Sequence, residues 1–133
     1  MFGYVAGLPA FLAYFATGLG ALAAFSILYS ALTPQHELTL IRQGNGAAVV
    51  AFLGAILGFS LPLSSAAANS VSLVDFAIWA VIGAVFQAIA FGVACFGMKG
   101  LPGRITAGEI PAGIWSAGVS LAVGMLNAAC MTY

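Results

Sequence analysis

Residues with reactive side chains are few and scattered in this 133-residue chain. The charged residues are Glu37, Arg42, Asp75, Lys99, Arg104 and Glu109. The sequence contains no intramembrane acid pair, no Gly-x-Ser-x-Gly motif, and no cysteine partner or second histidine near His36 to form a metal site. Cys95 and Cys130 lie in separate apolar segments, where they are better explained as small apolar side chains. The sequence therefore predicts a protein that is not an enzyme and uses no cofactor.

Uncharged polar residues inside the apolar segments form a first candidate site. An amide or hydroxyl left unpaired in hydrocarbon is costly, so we expect these side chains to face other helices or a partner subunit. Structural hydrogen bonding between helices is one role for them, and a polar path for a solute or ion is the other. The set comprises Ser60, Pro62, Ser64, Asn69, Gln87, Ser120 and Asn127.

Pro62 makes the second apolar segment unusual. Proline removes one backbone donor and frees the carbonyl four residues earlier, which predicts a kink near Gly58. Ser60 and Ser64 are placed to satisfy freed backbone groups. Gly54 and Gly58, four residues apart, favour close approach of another helix. The segment is either a kinked packing helix, which we favour, or a broken helix that lines a polar cavity.

Asp75 is the one acidic residue between the second and third apolar segments. It is either a cation or proton site, or a helix cap. The spacing Ser72-x-x-Asp75 is that of a capping box with Asp in place of Glu, and an acidic first turn suits the helix dipole. We therefore expect a cap.

Composition places these residues in a membrane. Hydrophobic residues make up 63% of the chain and charged residues 5%, whereas soluble domains carry about 25% charged residues. Four charge-free intervals are each long enough for one spanning helix of about 20 residues. They are 1–36, 43–74, 76–98 and 110–133. No strand-like alternation supports a barrel. We predict an all-α, four-helix integral membrane bundle of one domain, 1–133, with spans near 9–32, 47–68, 73–97 and 111–131. Two tandem helical hairpins are one arrangement of these spans.

The three basic residues predict an orientation. Arg42 follows the first span, and Lys99 and Arg104 follow the third, so all three lie on one side of a four-span protein. The positive-inside rule then places both connectors in the cytoplasm and both termini outside. Without a basic cluster, the chain offers nothing to nucleic acid.

The first connector is a second candidate site, for a cytoplasmic partner. Thr33, Pro34 and Gly44 carry start and stop signals for a short helix. This helix either lies on the bilayer surface or docks a soluble protein, and a bent span end is equally compatible with the sequence. The residues concerned are Glu37, Leu38, Ile41 and Arg42.

The two connectors also suggest an internal repeat. Residues 41–45 (IRQGN) and 105–109 (ITAGE) each precede a span with a similar run, 58–63 (GFSLPL) and 118–123 (GVSLAV). A four-residue gap is needed to align both matches. Either the chain is a duplicated hairpin or two glycine-rich hairpins look alike by composition.

Three stretches resemble the YjfL family of small bacterial inner-membrane proteins: 61–75 (LPLSSAAANSVSLVD), 119–133 (VSLAVGMLNAACMTY) and 37–45 (ELTLIRQGN). The resemblance implies a plasma-membrane protein with four spans. Genes of this family tend to neighbour those of phage-shock-type membrane-remodelling proteins, which implies a setting in membrane stress or envelope maintenance. The family supplies no catalytic or ligand residues to carry over.

Together these observations favour a non-enzymatic membrane scaffold or adaptor that recruits a peripheral partner through its connectors. Short spans rich in glycine and alanine bury little on their own, so we expect a homo-oligomer. A small oligomeric channel or transporter subunit, with a path lined by the second to fourth spans, is the alternative.

Overall fold

The chain folds into a bundle of helices. The structure, a computed structural model, describes residues 2–33 and 37–131, and within them every regular element is a helix. Pro34, His36 and Tyr133 lie outside the described residues. The helices are α1 (Phe2–Leu32), α2 (Glu37–Arg42), α3 (Gly46–Asn69), α4 (Leu73–Gly97), α5 (Leu101–Thr106) and α6 (Ile110–Ala129). The helices α1, α3, α4 and α6 are long and apolar enough to cross a membrane, which confirms the predicted all-α four-helix class.

Local side-chain hydrogen bonds define where two of the long helices begin. Asn45 caps α3 by accepting from the amide of Ala48 at 3.0 Å. The Ser72 hydroxyl accepts from the amide of Asp75 at 3.1 Å, while a carboxylate oxygen of Asp75 accepts from the amide of Val71 at 3.1 Å. The capping role expected for Asp75 is confirmed by this geometry.

The two short helices end in the same backbone geometry, 64 residues apart. Gly44 and Gly108 adopt φ values of +82° and +83°, which glycine reaches without the Cβ penalty of other residues. The amide of Gly44 donates to the carbonyl of Ile41 at 3.0 Å, and that of Gly108 donates to Ile105 at 2.9 Å. Each of these turns leads directly into a long helix, α3 or α6. The chain thus consists of two units of the same form, long helix, short helix, long helix.

The helices α3 and α6 form the centre of the bundle. They run in the same direction, because each follows a short helix at the end we call the connector end. Gly46 approaches Ile110 near that end, and Ser65 bonds to Ala128 near the opposite end. The helix α4 packs against both of them, and α1 lies at the periphery against α3 and α4. The core between them combines alanines of α3 with phenylalanines of α1, α3 and α4.

Candidate functional site

Small residues bring the backbones of α3 and α6 into direct contact. A β-carbon added at Gly54 would overlap Ala117, and one at Gly113 would overlap the carbonyl of Ala47. A β-carbon at Gly124 would overlap the carbonyl oxygen of Gly58. That carbonyl is the one that Pro62 leaves without its helical donor, because α3 continues as a helix through the proline. The freed carbonyl therefore faces the backbone of α6 at Gly124.

A polar cluster lies where α4 meets this interface. The side-chain amide of Gln87 donates to the carbonyl oxygen of Ser120 at 2.7 Å. Gln87 and Ser120 are 1% exposed and Ser116 is 0% exposed. The Gln87 carbonyl oxygen and both serine hydroxyls have no hydrogen-bond partner within the described residues. The cluster offers neutral donors and acceptors, so its chemistry is hydrogen bonding between helices rather than proton transfer.

The rest of the predicted polar set lies elsewhere. Asn127 donates to the carbonyl of Gly83 at 3.0 Å and so links α6 to α4. Ser60 donates to Leu57 of its own helix at 2.6 Å. Asn69 donates to the carbonyl of Ser65 at 2.9 Å, and Ser64 is exposed on the outer surface of α3. The structure therefore brings together Gln87 and Ser120, with Gly58 beside them. Pro62 lies next to Gly83 of α4, and Ser60, Ser64 and Asn69 lie outside the cluster.

Grooves on the bundle are apolar rather than polar. Three of them have volumes of about 640, 390 and 310 Å³. Of the seven residues in the predicted polar set, Asn127 alone lines any of these three, the groove between α4 and α6. The hydrogen bonds of the set are therefore contacts between or within helices.

Sequence reasoning missed several interhelical contacts. Ser116 belongs to the buried cluster. The Trp115 indole donates to the carbonyl oxygen of Ala94 at 2.9 Å. The Ser65 hydroxyl donates to the carbonyl oxygen of Ala128 at 3.1 Å. A signal was present for the first of these. Small residues recur along α6 at spacings of three or four residues, which places them on one face of the helix. They are Gly113, Ser116, Ser120 and Gly124.

At the connector end, α2 turns its apolar residues toward the bundle. Leu38 and Ile41 are partly buried against the core, and Leu40 is buried. Thr39, Arg42 and Gln43 are exposed. The side chain of Glu37 lies outside the described part. The polar residues of α2, rather than its apolar pair, therefore form its outward surface.

The second short helix is fixed to the bundle. Leu101 and Ile105 are fully buried. The side-chain amide of Asn45 donates to the carbonyls of Ile105 at 2.9 Å and Thr106 at 3.1 Å, which joins the end of α5 to the start of α3. Arg104 pairs with Glu109 at 3.2 Å on the surface. This exposed ion pair contributes little stability, since surface pairs are worth about 0–1 kcal/mol.

The residues that could hold a metal are sparse. No group of three or more His, Cys, Asp or Glu side chains comes together in the described ranges. Cys95 and Cys130 are both free thiols. Cys95 lies near the connector end of α4 and Cys130 follows the last turn of α6 at the opposite end.

Four long apolar helices and a neutral interior define an integral membrane protein that crosses the bilayer several times. The chain matches the family described as Domain of Unknown Function (DUF350) over residues 3–131, and it belongs to that family. It is 41% identical over 126 residues to the UPF0719 inner membrane protein YjfL of Escherichia coli (strain K12). The matched region covers 95% of this chain and 96% of that protein. The protein of the same description from Escherichia coli O157:H7 matches to the same extent. No solved structure matches this chain.

The comparison confirms the resemblance to the YjfL family and places the chain in the inner membrane.

Proposed function

We propose that this protein is a non-enzymatic membrane scaffold whose connector end recruits a peripheral partner. One observation carries the proposal. Four charged residues are exposed at the connector end, on or beside the two short helices α2 and α5, which are packed onto the bundle. They are Arg42, Lys99, Arg104 and Glu109. A charged surface on rigid elements is suited to recognising another protein, since little ordering cost remains to be met on binding.

The proposed orientation has the connector end in the cytoplasm and both termini in the periplasm. Its support is the placement of Arg42, Lys99 and Arg104 at one end, while Asp75 lies at the other. Basic residues in short loops next to spans favour the cytoplasmic side.

We further propose that copies of the chain associate and act in membrane stress or envelope maintenance. The central pair of helices exposes small and apolar side chains: Leu53 and Leu57 of α3, and Ile114, Gly118 and Ala122 of α6. Such a face accepts another helix closely. The stress setting is supported by the gene neighbourhoods that family membership implies.

The partner surface is tested by site-specific crosslinking in growing bacteria. A photoreactive amino acid replaces Arg42 or Thr39 on the exposed face of α2, and Val71, exposed at the opposite end, serves as the control position. We expect one crosslinked protein at both α2 positions and not at Val71. Its capture should be lost in Arg42→Glu with the photoreactive group at Thr39. The absence of an α2-specific product would contradict the proposal.

A flux measurement separates the scaffold from a channel. Purified protein in liposomes should pass protons, sodium and potassium no faster than empty liposomes, and Ser64→Leu or Asn69→Leu should leave both crosslinking and flux unchanged. Specific flux that these two substitutions alter would instead support the alternative, a small channel or transporter subunit.

A further inference from the structure

The turns before α3 and α6 align the two units of the chain, α1–α3 and α4–α6. Gly44 and Gly108 are 64 residues apart, and so are Gly46 and Ile110, the first residues of α3 and α6. A β-carbon added at Gly46 would lie 3.2 Å from the Cδ1 atom of Ile110, so equivalent residues also lie at the same depth. The helices α3 and α6 are therefore equivalent elements that lie side by side and run in the same direction.

These equivalent helices use different faces in the contact between them. On α3 the contact is made by Gly54 and Gly58, and a β-carbon added at Gly54 would overlap Ala117. The equivalents of the two glycines on α6, 64 residues later, are Gly118 and Ala122, and both are exposed. A β-carbon added at Gly118 would meet no atom within 4 Å. Each unit thus carries a small-residue half of a helix contact, and only that of the first unit is covered.

The other half of the contact is repeated in the same way. Ala117 and Gly124 of α6 receive the two glycines of α3. Their equivalents on α3, 64 residues earlier, are Leu53 and Ser60, of which the first is exposed and the second partly exposed. We call these positions the receiving half. The chain pairs the small-residue half of the first unit with the receiving half of the second and leaves the converse pair on its surface.

The choice of alignment does not change this conclusion. Matching 58–63 with 118–123 gives an offset of 60, which shifts each equivalence by four residues, about one helical turn. Each residue then moves along its helix but stays on the same face. A contact between unlike faces of two equivalent units is heterologous, and such a contact leaves an unused half at each end that another copy can fill.

We propose that copies of this chain associate head to tail, with the Gly118 and Ala122 face of α6 in one copy packed on the Leu53 and Ser60 face of α3 in the next. The contact inside the chain is the template for the contact between copies. Copies inserted in one orientation present α3 and α6 running in the same direction, as they do inside the chain. This inference rests on the proposed association of copies and adds which faces meet and that the contact is not two-fold.

Disulfide crosslinking tests the pairing of these faces. The internal neighbours Gly54 and Ala117 correspond to Gly118 of one copy and Leu53 of the next. Leu53→Cys and Gly118→Cys are combined in a background with Cys95→Ala and Cys130→Ala, and inner-membrane vesicles are oxidised with copper phenanthroline. We expect dimers, trimers and larger products on a non-reducing gel. Each single variant should stay monomeric on the gel, because neither residue meets its own copy.

Ile89→Cys combined with Leu53→Cys is the matched control, since Ile89 is exposed on α4 at the same depth from the connector end. This pair should give no ladder. Products of the Leu53→Cys and Gly118→Cys chain that stop at the dimer would overturn the proposal, because a two-fold contact uses both halves at once. Crosslinking of Gly118→Cys alone would overturn it in the same way and leave the association of copies standing.

A steric variant gives a second readout. Gly118→Leu should block the small-residue half and reduce the oligomer to monomers, whereas Gly92→Leu should not, although an added β-carbon meets no atom within 4 Å at either glycine. Oligomeric state is measured by native mass spectrometry of protein released from nanodiscs. An oligomer that survives Gly118→Leu would overturn the head-to-tail contact alone. A monomeric wild-type protein would overturn the association of copies as well.

Discussion

Gly124→Ala should separate the two central helices. The added β-carbon would lie 2.8 Å from the carbonyl carbon of Gly58 and closer still to its oxygen. Ordinary van der Waals contact begins at 3.4 Å. The helices must therefore move apart by more than 0.6 Å, the difference between these distances, because backbone atoms on both sides leave no side chain to rotate away.

The expected cost follows from the lost packing. Overpacking a close-packed interior by one carbon costs about 1–3 kcal/mol, and dispersion contacts weaken steeply with small gaps. The hydrogen bond from Gln87 of α4 to Ser120 of α6 lies beside Gly58 at this junction, and such interhelical bonds contribute about 0.6 kcal/mol on average. We expect Gly124→Ala to lower the free energy of unfolding by about 2 kcal/mol relative to a matched Gly→Ala change.

Gly92→Ala is that matched change. Gly92 lies inside α4, and an added β-carbon there meets no atom within 4 Å. Both substitutions gain the same helix propensity of about 1 kcal/mol, so the comparison isolates the contact with Gly58. The assay is unfolding by sodium dodecyl sulfate in mixed micelles, followed by circular dichroism. Equal stability of the two variants, within about 0.5 kcal/mol, would refute the proposed contact between α3 and α6.

Three further substitutions and one control, Asn69→Ala, test separate contacts by the same unfolding assay. Asn45→Ala removes a helix cap and two bonds to α5 and should cost about 2–3 kcal/mol, whereas Asn69→Ala, which loses only local bonds, should cost under about 0.5 kcal/mol. Ser72→Ala removes the cap of α4 and should cost about 1 kcal/mol; no loss would contradict the capping geometry. Trp115→Phe keeps an aromatic ring but loses the bond to α4 and the indole's packing at Gly97, so a decrease of at least about 0.6 kcal/mol is expected, and an unchanged stability would argue against that bond.

The spans were predictable because few backbone structures can cross a bilayer with all their hydrogen bonds satisfied. A spanning helix needs a long apolar stretch, and six charged residues leave room for four such stretches. The helices α3 and α4 lie within one residue of the predicted spans at both ends. The cap at Asp75 was equally accessible, since a capping box is a local pattern.

The pairing of helix faces was not predictable from these patterns. Gly54 and Gly58 indicate a close contact without naming the helix that makes it, and α4 offers small residues as well as α6 does. The helix α1 is apolar on all sides, so no face is marked as the inner one. Leu38 and Ile41 are three residues apart and so share one face of α2, but their spacing could not show that this face packs partly against the core.

The most direct test of the account is the sidedness of the two connectors. Single cysteines replace the exposed residues Thr39, Thr106 and Val71 in a background with Cys95→Ala and Cys130→Ala. A membrane-impermeant maleimide is added to intact spheroplasts or to inverted inner-membrane vesicles. We predict labelling of Thr39→Cys and Thr106→Cys in inverted vesicles and of Val71→Cys in spheroplasts. Labelling of the two connector positions from opposite sides would contradict it.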